Sequence, residues 1–248
     1  MHNAPASHGH HASTDTDGGA SAASSTAPTN PFDSVDPSMP AEKFWDERYG
    51  ESNRIWSGRV NPILEREASR LAPGTALDLG CGEGADAIWL ATAGWQVTAI
   101  DISGTALDRA RMHASAAGVS DGIVWEQHNL ASSFPAGSFD LVSAQFLHSP
   151  VELPRGEVLR TAAAAVAPGG SLLVVGHFGP PPGSTDAHGG ANPHADMELP
   201  TPDEVLADLA LPDADWVVAV SELTGRTATG MDGQTRDLVD SILLVTRR

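Results

Sequence analysis

The five residues Gly80-Cys81-Gly82-Glu83-Gly84 constrain this chain most, because glycines at alternate positions allow backbone turns that side chains forbid. Thr75-Ala-Leu-Asp-Leu79 before them reads as a short buried strand. Ala85-Asp-Ala-Ile-Trp-Leu-Ala-Thr-Ala93 after them reads as a helix stopped by Gly94. A strand, a glycine turn and a helix in that order bring backbone close to a ligand at the helix N-terminus.

The rhythm then repeats. Strands are expected at 96–100, 123–127, 139–144 and 171–176, with helices at 105–117 and 156–166; Gly118 ends the first helix and Pro168-Gly-Gly170 the second. Strands alternating with helices predict right-handed crossovers and a parallel sheet. Toward the end, a helix at 202–209 and strands at 216–220 and 241–246 break the alternation, and the two late strands suit an antiparallel edge pair.

Folding is expected to start at Ala41. Residues 1–40 are rich in Ala, Ser, Thr, Gly, Pro and His with almost no large apolar side chain, so they are expected to be a disordered tail. Within it, His2, His8, His10 and His11 form a cluster without fixed geometry for a metal. From Ala41, an aromatic and charged helical segment ends at Tyr49, Trp56-Ser-Gly-Arg59 follows, and a second helix runs to Arg70. A hydrophobic fraction of 41% in 248 residues supports one core, so 41–248 is expected to be a single domain.

Charge and cysteine usage narrow the function. Acidic residues outnumber basic ones 32 to 14, and a net charge of -18 repels polyanions, which argues against nucleic acid as partner. Cys81 is the single cysteine, so no internal disulfide forms. No apolar run approaches a membrane span, and no signal-peptide pattern opens the chain. A soluble cytoplasmic protein is the expectation; nothing here fixes its oligomeric state.

The glycine turn alone leaves two ligands open. Gly80-Cys-Gly82-Glu-Gly-Ala85 satisfies a loose dinucleotide pattern, and Asp101 lies 21 residues after Gly80, where a ribose-binding acid belongs in either case. Asp78 separates them: a carboxylate two residues before Gly80 is unwelcome beside a pyrophosphate and favourable beside a cationic sulfonium. An NAD(P)-dependent oxidoreductase is therefore the alternative. A non-catalytic cofactor- or metal-binding protein is a third reading.

Leu77-Asp-Leu-Gly-Cys-Gly-Glu-Gly84, Ala99-Ile-Asp-Ile102, Phe139-Asp-Leu-Val142 and Ala167-Pro-Gly-Gly170 together resemble the successive motifs of class I S-adenosylmethionine-dependent methyltransferases. Phe44-Trp-Asp-Glu-Arg-Tyr49 with Trp56-Ser-Gly-Arg59 is similar to small-molecule members, including the thiopurine and tellurite-resistance branch. The resemblance implies a Rossmann-like, doubly wound α/β fold with a mostly parallel seven-stranded sheet and an antiparallel edge strand. It implies S-adenosyl-L-methionine as cofactor, with Gly80 and Gly82 against it, Asp101 on the ribose hydroxyls and Ile102 on the adenine. Asn129, where the family often has Asp, and its neighbour Leu130 would meet the adenine; an amide oxygen still accepts from the amino group. Gln145 would face the methionine part, and Trp56 would close over the site through cation–π attraction.

Methyl transfer from a sulfonium needs alignment, and a base only where the acceptor is protonated at neutral pH. His148 and His177 follow the fourth and fifth expected strands, at the sheet's carboxyl edge, and are the candidate bases. The Gly/Pro-rich segment 178–200 reads as a lid or substrate loop. His148, His177, His188 and His194 with Asp186, Asp196 or Glu198 could converge on a metal, but their spacing matches no tight signature, so no metal is assigned.

Overall fold

The computed structural model describes residue 36 and residues 38–179, 199–229 and 235–248. The histidine cluster, nearly all of the expected tail, and residues 180–198 of the expected substrate loop lie outside the described residues.

Glycines, prolines and short polar side chains set the element boundaries. Helix α1 (Ala41–Gly50) leads to α2 (Pro62–Ala68), where Pro62 opens the first turn and the Asn61 side chain accepts from the Ile63 amide at 2.8 Å. Strand β1 (Thr75–Leu79) passes through the glycine turn into α3 (Ala85–Thr92). Strand β2 (Gln96–Asp101) feeds α4 (Gly104–Ala117), which Ser103 caps at one end and Gly118, with φ of 72°, closes at the other. Then come β3 (Ile123–Gln127), β4 (Phe139–Gln145), α5 (Arg155–Ala164) and β5 (Val166–Phe178). Helix α6 (Pro202–Leu209) starts on a capping box of Thr201 and Glu204, and β6 (Trp216–Thr229) and β7 (Thr235–Arg247) finish the chain.

The seven strands form one sheet in the order β3-β2-β1-β4-β5-β7-β6. Strands β1 to β5 pair in parallel, as the alternation with helices requires, and β7 runs antiparallel to both β5 and β6. The strand alternation splits the core in two. Ala76, Ala99, Leu141, Leu173, Val175 and Leu244 face α2 and α3, while Leu77, Leu79, Val142, Leu172, Val174 and Leu243 face α5 and α6. Period-two alternation also places Asp78, between Leu77 and Leu79, on the α3 side. Among the described residues no helix is long and apolar enough to cross a membrane.

Two expectations change. Helix α5 ends at Ala164, two residues before the expected last helical residue Val166, and Pro168-Gly-Gly170 lies inside β5 rather than between helix and strand. Phe139 pairs with Val166 and Leu141 with Ser171, so residues 167–170 bulge opposite the single residue Asp140. Gly169 turns there with φ of 83°. Strands β6 and β7 also outrun their expected cores at 216–220 and 241–246. The polar run from Ser221 to Thr227 conceals strand from a reading by apolarity, because an edge strand satisfies its backbone through β7 without burying both faces.

The bulge yields a stability prediction. A Cβ on Gly170 would lie 2.9 to 3.0 Å from the carbonyl oxygens of Phe139, Ala167 and Asp140, none of which yields cheaply. Gly170→Ala is expected to lower unfolding stability by about 1–3 kcal/mol in urea titrations. Gly225→Ala, with nothing within 4 Å, should shift the midpoint far less.

Candidate functional site

The glycine turn leaves β1 at the carboxyl edge of the sheet and is held from β2. Gly80, Gly82 and Gly84 all take positive φ, at 68°, 53° and 86°. The Cys81 amide donates to the Ile100 carbonyl at 2.9 Å, and the Gly82 amide donates to Asp101 Oδ2 at 2.8 Å. Asp101 Oδ1 accepts from the Ser103 amide at 2.9 Å, so one buried carboxylate ties two turns together. Its burial pushes the carboxyl up, and these backbone donors pull it partly back.

Small size is needed at the turn as well as positive φ. A Cβ on Gly80 would stand 2.9 Å from Leu147 Cδ1, and one on Gly82 would stand 2.8 Å from the Tyr49 hydroxyl. Cys81 is partly buried and its thiol is pushed well up, first by burial and then by Asp101 and Asp78, so it is kept protonated and unreactive.

Acids gather beneath the turn. Asp78 is buried, and its Oδ2 has no hydrogen-bond partner among the described residues. Burial, then Asp86 and Asp101, push its carboxyl well above the ordinary range. Asp86, in the first turn of α3, is raised to about 6 by burial, although the Asn61 amide donates to it at 2.7 Å. The arrangement disfavours anions and rewards a cation.

An N-terminal arm covers the turn, and Glu83 anchors it. This buried carboxylate accepts from the Ile55 amide at 3.2 Å, the Trp56 amide at 3.1 Å and Arg109 Nη1 at 3.0 Å. Arg109 also donates to the Tyr49 carbonyl, joining α1 to α4. Asp46 of α1 accepts from Ser103 Oγ at 2.6 Å and the Thr105 amide at 3.1 Å. Trp56 stands at the rim, 49% exposed, with Nε1 donating to the Tyr49 hydroxyl at 3.0 Å over Gly82.

The remaining predicted residues lie along the same edge. Ile102, just past β2, is partly buried, and its carbonyl accepts from Gln127 Nε2. Asn129 is exposed after β3; its side-chain oxygen accepts from the Ala131 amide at 3.0 Å, which leaves one lone pair. Leu130 packs against the α5/α6 core. Gln145 ends β4 with Nε2 on Ser143 Oγ at 2.9 Å, while its buried Oε1 has no hydrogen-bond partner among the described residues. His148 lies against Gly176, and its ring centroid is 6.3 Å from that of His177. The structure thus brings Asp78, Gly80, Gly82 and Asp101 together, and places His148 after the adjacent strand β4 and His177 on β5, one strand further.

Sequence reading missed several partners. The Glu83–Arg109 pair, Phe146 with φ of 51° at the end of β4, and the Asp240–Arg226 pair beside His177 all join positions distant in sequence or depend on backbone angle. Only Phe146 had a local signal, being the residue between a strand end and a ligand-facing loop. The metal candidates of the 178–200 loop lie outside the described residues; among the described ones no group of three or more His, Cys, Asp or Glu could hold a metal.

Residues 76–170 match the family described as methyltransferase domain. The chain is similar to a ubiquinone biosynthesis O-methyltransferase of Xanthomonas axonopodis pv. citri, 38% identical over 138 residues, covering 54% of this chain and 56% of the relative. It is also similar to 27-O-demethylrifamycin SV methyltransferase of Amycolatopsis mediterranei, 40% identical over 138 residues, covering 53% and 48%. The chain therefore spans about half the length of these curated relatives. In fold it is similar to the N-methyltransferase NodS of Bradyrhizobium japonicum, solved with S-adenosyl-L-homocysteine, with TM-score 0.55, 21% identity, and coverage of 84% and 99%.

Removing the anchor tests how the arm is held. Glu83→Ala strands Arg109 and frees two amides, so it should cost about 3–5 kcal/mol of stability, as breaking a buried pair does. Limited proteolysis is expected to cut between Glu51 and Trp56 faster than in the parent. An unchanged cleavage rate would show that the arm is held by other contacts.

Proposed function

We propose that this chain, whose residues 76–170 match a methyltransferase domain, moves a methyl group from S-adenosyl-L-methionine to a small-molecule acceptor by in-line displacement. The carrying observation is the cradle itself: a turn whose Gly80, Gly82 and Gly84 all take positive φ with neighbours close in, backed by acids that suit a cation. The orphaned oxygens of Asp78 and Gln145 are buried acceptors that fit the ammonium and other donors of the methionine part. When bound, the cofactor supplies an electrophilic methyl group.

In this reading the chain's residues divide the work. Backbone at Gly80 and Gly82 lies against the cofactor, Asp101 accepts from the ribose hydroxyls through its remaining lone pairs, and Ile102, Asn129 and Leu130 frame the adenine. Gln145 faces the methionine part, and Trp56 and Tyr49 shut the rim against water. His148 and His177 are the candidate bases for the acceptor.

The catalytic unit is 41–248, with the tail at 1–40 outside it and acceptor choice assigned to 178–200. The names of the two curated relatives favour an oxygen acceptor over the sulfur and metalloid acceptors of the thiopurine and tellurite branch. The net charge of -18 supports a small molecule over nucleic acid, and the lone cysteine suits the cytoplasm. A dinucleotide is disfavoured, because its pyrophosphate would face Asp78 and Asp86.

Calorimetric titration tests the reading. S-adenosylmethionine and its demethylated product should bind and NAD should not; Asp101→Ala should weaken binding about 10- to 100-fold, the loss expected for charged hydrogen bonds. Tight binding of NAD alone would overturn it.

The acids predict a pH dependence. Asp86 titrates at about 6, so it is mostly protonated below that pH and ionised above it. A cationic ligand favours the ionised form, so affinity should rise as pH climbs through about 6, with proton release. Adenosine, which lacks the cationic groups, should show no such slope.

A further inference from the structure

His177, near the end of β5, pairs directly across the ladder with Asp240 on β7. Its Nδ1 lies 3.4 Å from Asp240 Oδ1, while Arg226 of β6 donates from Nε to Oδ2 at 2.5 Å. Asp240 is 2% exposed. Burial alone would raise its carboxyl, but the contacts from His177 and Arg226 outweigh burial and hold it below the ordinary range. It is therefore an ionised, buried carboxylate against one nitrogen of an imidazole.

The imidazole is also fixed in orientation. Phe146 stacks on it with centroids 4.2 Å apart and planes at 28°, and Arg226 sits over the Phe146 ring at 5.7 Å. Phe146 reaches this position through a φ of 51°, a conformation costly for a bulky residue and one that collects at functional sites. The same turn sets Leu147 against Gly80 and His148 against Gly176, linking the histidines to the glycine cradle. The His177 side chain keeps 22% of its surface exposed.

Resting on the methyl-transfer reading, we infer that His177 is the proton acceptor for a hydroxyl nucleophile, with Asp240 as its positioning residue and Arg226 holding Asp240 in place. With Nδ1–H turned to Asp240, Nε2 carries the lone pair. As the acceptor oxygen bonds to the methyl carbon, its proton passes to Nε2 and the carbon–sulfur pair goes to sulfur, leaving a neutral thioether. The resulting imidazolium is stabilised by Asp240. A thiolate acceptor has no proton to give and needs none of this, so the pair suits the site to acceptors that must lose a proton, among them alcohols, enols and phenols. Among the described residues, the His148 ring after β4 lies 6.3 Å from that of His177, centroid to centroid, and Arg155 at the start of α5 donates from Nε to the Leu147 carbonyl beside His148.

The test uses the full chain. Nitrogen-15 NMR of the imidazoles, with His177→Gln to assign the signal, should find neutral His177 protonated on Nδ1. In Asp240→Asn the Nε2–H form should gain. A parent ring protonated on Nε2, or a tautomer indifferent to Asp240→Asn, overturns the inference without any turnover and without the variant needing to be active.

Turnover supplies the second arm, with catechol and thiophenol as probes. His177→Gln and Asp240→Asn should cut kcat on catechol about 10²- to 10⁴-fold with KM little changed, and leave thiophenol unaffected. Equal losses on both probes would overturn the inference, and if the parent methylates neither, the tautomer result decides. Calorimetry with S-adenosylmethionine separates the two levels: a parent that does not bind it removes the methyl-transfer reading, whereas retained binding with insensitive turnover removes only the role of His177.

Discussion

One carboxylate organises this site. Asp101 ends β2, yet its two oxygens accept from Gly82 in the turn after β1 and from Ser103 at the cap of α4. Two neighbouring strand ends are thereby locked in one geometry. The Cys81 amide on the Ile100 carbonyl adds a second tie. Breaking the Asp101 contacts would release the Gly-rich turn and loosen the start of α4 together, so the shape of the cradle and the support of its neighbour rest on one buried group.

The arm over the turn follows from that rigidity. Tyr49 and Trp56 come to Gly82 because Glu83, inside the turn, accepts from the arm's backbone and pairs with Arg109 of α4. A buried ion pair of this kind adds little net stability over an apolar contact, but it fixes register. The acids below the turn, Asp78 and Asp86, are carried at a cost set by their burial, and a cationic ligand relieves that cost. The side of the site beyond β4 differs, with Phe146, His177, Asp240 and Arg226 stacked where β5, β7 and β6 lie together.

Much of this was legible in the sequence because its signals are local. The strand, glycine turn and helix at 75–92, the glycine stops and the late antiparallel pair are encoded within a few residues of where they act. The Pro168-Gly-Gly170 segment was read as a simple stop because proline does end helices. That the chain re-enters the sheet as a bulge opposite Asp140 depends on β4, far away in sequence. Glu83 gains its partner from Arg109 of α4, 26 residues away, and Asp240, just before the expected strand 241–246, meets His177 only through the pairing of β7 with β5. Topology places the candidate bases at the sheet's carboxyl edge, but gives no sign of Asp240 beside His177.

The central claim is that the turn held by Asp101 receives the methyl donor, and a crystal structure of the chain with S-adenosyl-L-homocysteine tests it most directly. The account predicts both ribose hydroxyls on Asp101, backbone of Gly80 and Gly82 in contact with the ligand, and its amino group toward Asp78 and Gln145. A ligand bound away from the turn, or a turn whose Asp101 makes no contact with it, would contradict the account.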